Sequence, residues 1–248
     1  VGDRSGEGAT LNNIGAVYKS KGHYDEALNY FDQALVVARE VGDRSGEGAI
    51  LNNIGAVYES KGQYDQALSY YEQALVVRRE VGDRSGEGTT LNNIGAVYKS
   101  KGQYDQALSY YDQALVVRRE EGDRSGEGTT LNNIGAVYKS KGQYDQALNY
   151  FDQALVVARE VGNRSGEGTT LNNIGAVYNS KGQHDQALSY YDQALVVRRE
   201  VGDQLGEGTT LYNIGGLYDS KGQYDQALDY YNQALIIARE LKFSKSRI

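Results

Sequence analysis

Residues 1–40 read VGDRSGEGATLNNIGAVYKSKGHYDEALNYFDQALVVARE, and the segment LNNIGAVY (Leu11 to Tyr18) decides how the rest is read. At about 100° per residue, Leu11, Ile14, Gly15 and Tyr18 fall on one side of a helix. Ala9, Asn12, Asn13, Ala16 and Ser20 fall on the other. The spacing predicts an amphipathic helix A over 4–20. Asp3 is its expected N-cap. Lys21-Gly22 ends it, with a cation for the last carbonyls and a glycine for the left-handed cap conformation. Gly6 and Gly8 cost roughly 1 kcal/mol each inside a helix. Either that turn frays, or a neighbouring helix packs too closely there for a side chain.

A second helix, B, is predicted over 24–39. Tyr24, Ala27, Leu28, Phe31, Ala34 and Leu35 form one apolar stripe, and Tyr30 and Val37 a second, well rotated from the first. Two stripes require two partners: helix A of the same copy and a helix of a neighbouring copy. The short turn makes A and B antiparallel. One pair cannot cover the second stripe, so pairs must stack. No segment alternates with period two, which argues against strands.

The unit repeats. VGDRSGEG at Val1 returns at Val41 and Val81, then as EGDRSGEG at Glu121, VGNRSGEG at Val161 and VGDQLGEG at Val201. The period is 40 residues without a slip, giving repeats 1–40, 41–80, 81–120, 121–160, 161–200 and 201–240, with a tail over 241–248. With no linker or composition shift, the expectation is a single array over 1–240. Copies one and four share Phe31/Phe151 and Ala38/Ala158, whereas copies two, three and five carry Tyr71/Tyr111/Tyr191 and Arg78/Arg118/Arg198.

Leu11-x-x-Ile14-Gly15-x-x-Tyr18, followed by Ala27-x-x-x-Phe31 and Ala34, resembles the tetratricopeptide-repeat signature. The likeness recurs in every copy. The period is 40 rather than 34, and Arg39 stands where a proline usually ends helix B. In this the chain resembles the longer repeats of kinesin light chains and of GoLoco-containing adaptors. The resemblance implies an all-α fold: a right-handed α-solenoid of six helix-turn-helix repeats, about twelve helices, whose A helices line a concave, peptide-binding groove.

Composition removes other chemistries. There is no Cys, Pro, Met or Trp, and there are only two His, so thiol catalysis, Cys-ligated metals and His-based sites lose their residues. No catalytic residue, metal or cofactor is expected: each Asp or Glu position recurs about once per copy along the array, and no copy holds a special place. GDRSGEGTT lacks the lysine and the spacing of a phosphate loop and reads as a structural turn. The net charge of −7 disfavours nucleic acid. No apolar run approaches the roughly 18 residues of a membrane span. Val1 in place of Met suggests a fragment, and the expected location is cytoplasmic.

The candidate binding residues are an asparagine ladder. Asn13, Asn53, Asn93, Asn133, Asn173 and Asn213 share one position, flanked by Asn12, Asn52, Asn92, Asn132, Asn172 and, in copy six, Tyr212. A primary amide offers donor and acceptor together, which matches an extended peptide backbone. The alternative is a solvated polar face copied by duplication. Lys99 and Lys139 border this face at a column that runs Lys19, Glu59, Lys99, Lys139, Asn179, Asp219. Its uneven charge either sets ligand register or reflects drift. The expected partner is a protein or peptide segment. A second expectation is a homo-oligomer through uncapped ends, with Tyr230, Ile236, Ile237 and Phe243 as contacts and helix B of copy six continuing to Leu241–Phe243.

Overall fold

Each repeat begins with a capped turn. Asp43, Asp83, Asp123, Asn163 and Asp203 accept from the backbone amide three residues on, at 2.8–2.9 Å, and so open helix A. The expected cap Asp3 lies outside the described residues. Each A helix ends where a glycine turns left-handed, Gly22 at φ 78° and Gly62 at 70°. A second left-handed glycine, such as Gly42 at 71°, ends helix B and leads into the next cap.

The computed structural model describes the backbone of residues 4–245 and the side chains of residues 4–241. Among these, twelve helices and no strand occur. They are α1 (Arg4–Ser20), α2 (Tyr24–Val41), α3 (Arg44–Ser60), α4 (Tyr64–Val81), α5 (Arg84–Ser100) and α6 (Tyr104–Glu120), then α7 (Arg124–Ser140), α8 (Tyr144–Glu160), α9 (Arg164–Ser180), α10 (His184–Glu200), α11 (Gln204–Ser220) and α12 (Tyr224–Lys245). Odd helices are the predicted A helices and even helices the B helices. Gly6 and Gly8 lie within α1, and a Cβ on Gly8 would come within 3.1 Å of Val37, as the close-packing alternative requires. The last helix runs through the tail as far as Lys245.

Packing divides the chain into two compact units, Val1–Gly126 and Glu127–Ile248. In the first, each helix packs on the next, and α1, α3 and α5 also touch in series. In the second, α8 to α12 pack in sequence, and α9 touches α11. The two stripes of helix B each find their partner. Ala27, Phe31 and Ala34 are fully buried between their own helix A and the next repeat. Val77 and Tyr70, on the second stripe of α4, pack back on that same cluster.

Gly15 sets the distance between A and B. A Cβ there would lie 2.8 Å from two ring carbons of Phe31, and the same holds at Gly95 beneath Tyr111. Only a residue without a side chain lets the ring lie on the helix backbone. Above this contact the rings of Tyr18 and Tyr30 stack with centroids 5.3 Å apart, and their counterparts in the other repeats do so at 5.3–5.5 Å.

The GDRSGEG turn is an ion-pair junction. Glu47, almost fully buried, accepts from Arg39 of the preceding helix B at 2.8 Å and also from Arg44. Arg44 reaches Glu80 at the end of its own repeat. Arg79–Glu87–Arg84–Glu120 and Arg159–Glu167–Arg164–Glu200 repeat the chain. In copy six Gln204 replaces the second arginine, and Glu207 keeps Arg199 at 2.6 Å.

Candidate functional site: the asparagine face

The odd helices place both asparagine columns where neighbouring A helices meet. Asn53 donates from Nδ2 to Oδ1 of Asn12 at 3.0 Å. Asn93 donates to Asn52 at 3.2 Å, Asn173 to Asn132 at 3.0 Å and Asn213 to Asn172 at 3.0 Å. Asn52 and Asn172 are buried, and each lies under the half-buried amide that donates to it. The hydroxyls of Thr90 and Thr170 add bonds to Asn52 and Asn132. The two columns therefore differ. The first (Asn12, Asn52, Asn132, Asn172) spends its carbonyl on the next repeat. In each of the four bonded pairs the second-column amide makes this one side-chain hydrogen bond among the described residues, leaving its own carbonyl and one N–H. Tyr212, which takes the first-column place in copy six, is 62% exposed and leans on Tyr231.

The charged column borders this face. Lys19, Lys99 and Lys139 are half-buried. Burial pulls the Lys19 ammonium below its ordinary value, and the Glu59 carboxylate opposes that. Glu59 in turn accepts from the Tyr71 hydroxyl at 2.7 Å. Burial first, then Glu59, pushes the Tyr71 hydroxyl upward. The Tyr111 hydroxyl is buried without a partner among the described residues. Copies one and four carry phenylalanine at this place.

At the C-terminal repeat Tyr230 stacks on Tyr218, as in every other copy. Ile236 is 56% exposed, but so is its counterpart Val36 at 55%, so neither distinguishes the end. Ile237, which the sequence reading named, is half-buried where Val37, Val77, Val117, Val157 and Val197 are at 4–5%, and Leu235, which it passed over, is 45% exposed where Leu35, Leu75, Leu115, Leu155 and Leu195 are at 6–8%. Leu235 joins Leu205, Tyr212, Tyr231, Ile237 and Leu241 around a groove of about 710 Å³. The side chain of Phe243 lies outside the described residues.

The arginines Arg78, Arg118 and Arg198 were also not expected as functional groups. Their side chains are 8–11% exposed, and each lies on the carboxylate that caps the next A helix. The available signal was the alternation of Arg and Ala at one position of otherwise near-identical copies.

The helix pairs, the close glycine contact and the 40-residue period describe one family. The tetratricopeptide-repeat profile matches residues 6–80, 86–160 and 166–240. The chain belongs to the tetratricopeptide-repeat family. Solved structures support the fold of this repeat protein at low identity. A Podospora anserina putative kinesin light chain with nearly identical repeats superposes with TM-score 0.66 at 13% identity, over 82% of this chain and 99% of that one. A Rap protein complexed with competence and sporulation factor gives 0.74 at 16%, over 95% and 76%. A signal-transduction ATPase with a tetratricopeptide-repeat sensor, from Pyrococcus horikoshii, gives 0.77 at 16%, over 98% and 38%. No curated protein sequence matches the chain. Tetratricopeptide-repeat proteins are protein-interaction scaffolds. Among the described residues no helix is long and apolar enough to cross a membrane.

Proposed function

We propose that this repeat protein is a non-enzymatic scaffold that holds an extended peptide segment of a partner along its odd helices. The observation that supports this is the state of the second asparagine column. Each bonded amide is fixed by one hydrogen bond to its neighbour and retains one donor and one acceptor. A fixed amide loses little rotamer entropy on binding. A row of such amides satisfies backbone N–H and C=O groups without reading side chains. The test is a selection from a displayed library of random peptides, followed by affinity measurements on Asn53→Ala/Asn93→Ala. Weakening by at least about thirtyfold, roughly 1 kcal/mol for each of the two amides, at an unchanged helical signal is the expected result. Unchanged affinity would remove the ladder from the binding site.

A second reading rests on the groove around Leu235. In this chain α12 presents the face that α10 presents to α11, and Val17 of α1 is 59% exposed where Val57, Val97, Val137 and Val177 are fully buried. The two faces have the chemistry of a repeat junction, so molecules would stack head to tail through Ile237, Leu235 and α1. Light scattering across a concentration series tests it. Mass should rise with concentration and the rise should vanish in Ile237→Lys; a concentration-independent monomer refutes stacking.

A further inference from the structure

Three of the repeat junctions contain an arginine running through a channel made by two glycines. At the second junction the Arg78 guanidinium donates to the Gly86 carbonyl and to the Thr90 hydroxyl at 3.0 Å, with Nε 3.7 Å from Asp83. Arg118 donates to Asp123 at 2.6 Å, to Thr89 at 2.7 Å and to the Ser85 carbonyl at 3.3 Å. Arg198 donates to Asp203 at 2.7 Å. The channel exists because of glycine. A Cβ on Gly88 would lie 3.0 Å from Arg118 Nε, and one on Gly86 2.8 Å from Arg78 Cζ. At these junctions the arginine, together with the capping carboxylate, leaves no room for a side chain at the glycine positions; elsewhere Val37 or Val157 fills the space opposite Gly8 or Gly128.

The first junction keeps the channel and the carboxylate but has Ala38 where the arginine would be. A cavity of about 140 Å³ remains there, lined by Gly8, Asn12, Ala38, Asp43, Gly46 and Ile50 among others. Asp43 is exposed at its mouth, and its side chain takes only the Gly46 amide among the described residues. The fourth junction also has alanine, Ala158, but its cap is the neutral Asn163. The first junction is therefore the one with alanine at this position and an acidic cap.

We propose that this recess binds a guanidinium group from outside, the side chain of an arginine in a partner protein. The carboxylate of Asp43 and the carbonyl of Gly46 stand where Asp123 and Gly86 receive an internal guanidinium. Ala9 and Ile50 replace the two threonine hydroxyls, so the walls are more apolar and suit the methylene stem. A planar guanidinium donates to a carboxylate and a carbonyl at once, which an ammonium on a flexible stem does less well. Asn12 lines the cavity, so the recess adjoins the asparagine face. The inference nevertheless stands without the peptide reading, because a single free arginine derivative tests it.

The probe is N-acetyl-arginine amide, followed by ligand-observed saturation-transfer NMR against its lysine and citrulline analogues. Binding should saturate near about millimolar ligand, as one exposed charge-assisted contact allows, and should exceed that of both analogues by about tenfold. It should be lost in Ala38→Arg, which places an internal guanidinium in the recess. It should be lost equally in Asp43→Asn, which keeps the cap, since Asn163 caps Gly166 at 2.9 Å. Thermal melts of both variants confirm the fold. Absence of saturable binding, equal binding of the lysine or citrulline analogue, or binding that survives either substitution overturns the proposal. Losing ladder amides that do not touch the recess, in Asn173→Ala/Asn213→Ala, should leave arginine binding unchanged, which separates this site from the peptide face.

Discussion

Replacing Gly95 by alanine sets two magnitudes against each other within one helix. Alanine is the better helix former by about 1 kcal/mol, so on propensity alone the change stabilises. The added Cβ would lie 2.8 Å from Cδ1 and Cε1 of Tyr111, a ring with no exposed surface. Carbon–carbon contacts settle near 3.5–4.0 Å, so α5 and α6 must separate by about 0.7 Å or more. Overpacking a core costs about 1–3 kcal/mol, and a fully enclosed ring belongs in the upper half of that range. The net expectation is a loss of about 1–2 kcal/mol. Gly216→Ala is the control: it gains the same propensity, and its nearest neighbour is the Tyr231 hydroxyl at an ordinary 3.5 Å. That variant should gain up to about 1 kcal/mol. In a chain of this size the two should differ in midpoint by about 5–10 °C. Calorimetry reads the difference, and hydrogen exchange across α5 and α6 reports whether the loss is local, since repeat arrays need not unfold in two states. If Gly95→Ala stabilises as much as Gly216→Ala, close approach of A and B is not what that glycine provides.

The other expectations concern the junctions. Arg118→Ala leaves Asp123 without its cation and opens a channel; about 1–3 kcal/mol should be lost, discounted because Asp123 is partly exposed, while Arg118→Met should recover part of it, both read by urea denaturation. Burial alone would raise the Glu47 carboxyl, but hydrogen bonds from Arg39 and Arg44 outweigh it and hold the group below its ordinary value. The unfolded chain then binds the proton more readily, so this stabilisation is present above the usual carboxylate range and is lost as pH falls through the lowered folded value. Glu47→Gln should flatten the acid limb of a stability–pH curve, and an unchanged slope contradicts the assignment. Asp83→Ala removes the bond to the Gly86 amide and should cost about 1 kcal/mol, whereas Asp83→Asn should keep the cap, with local hydrogen exchange in the first turn of α5 as the readout.

Much of this was legible in one 40-residue unit. Helix A over 4–20 matches α1, and the two stripes of helix B found two partners, because periodic burial is written in residue spacing. Gly22 as the left-handed stop was equally legible, since one residue type serves that backbone conformation. Gly6 and Gly8 left two explanations open. Choosing between them required knowing what lies across the helix, which differs from junction to junction: Val37 in one place and Arg78 or Arg118 in others. The asparagine pairs show the same limit. Their chemistry was visible, but not that one column gives its carbonyl to the next repeat.

One 40-residue unit carries the helix pair, its caps and its repetition, all of which depend on residues near one another in the chain. What each copy's few differences do depends on the assembled repeats. Ala38 against Arg78, Asp43 against Asn163 and Leu235 against Leu35 differ in surroundings supplied by another repeat. The free energy of a side chain across a junction depends on the space and charge its neighbour leaves, and spacing along the chain does not carry that.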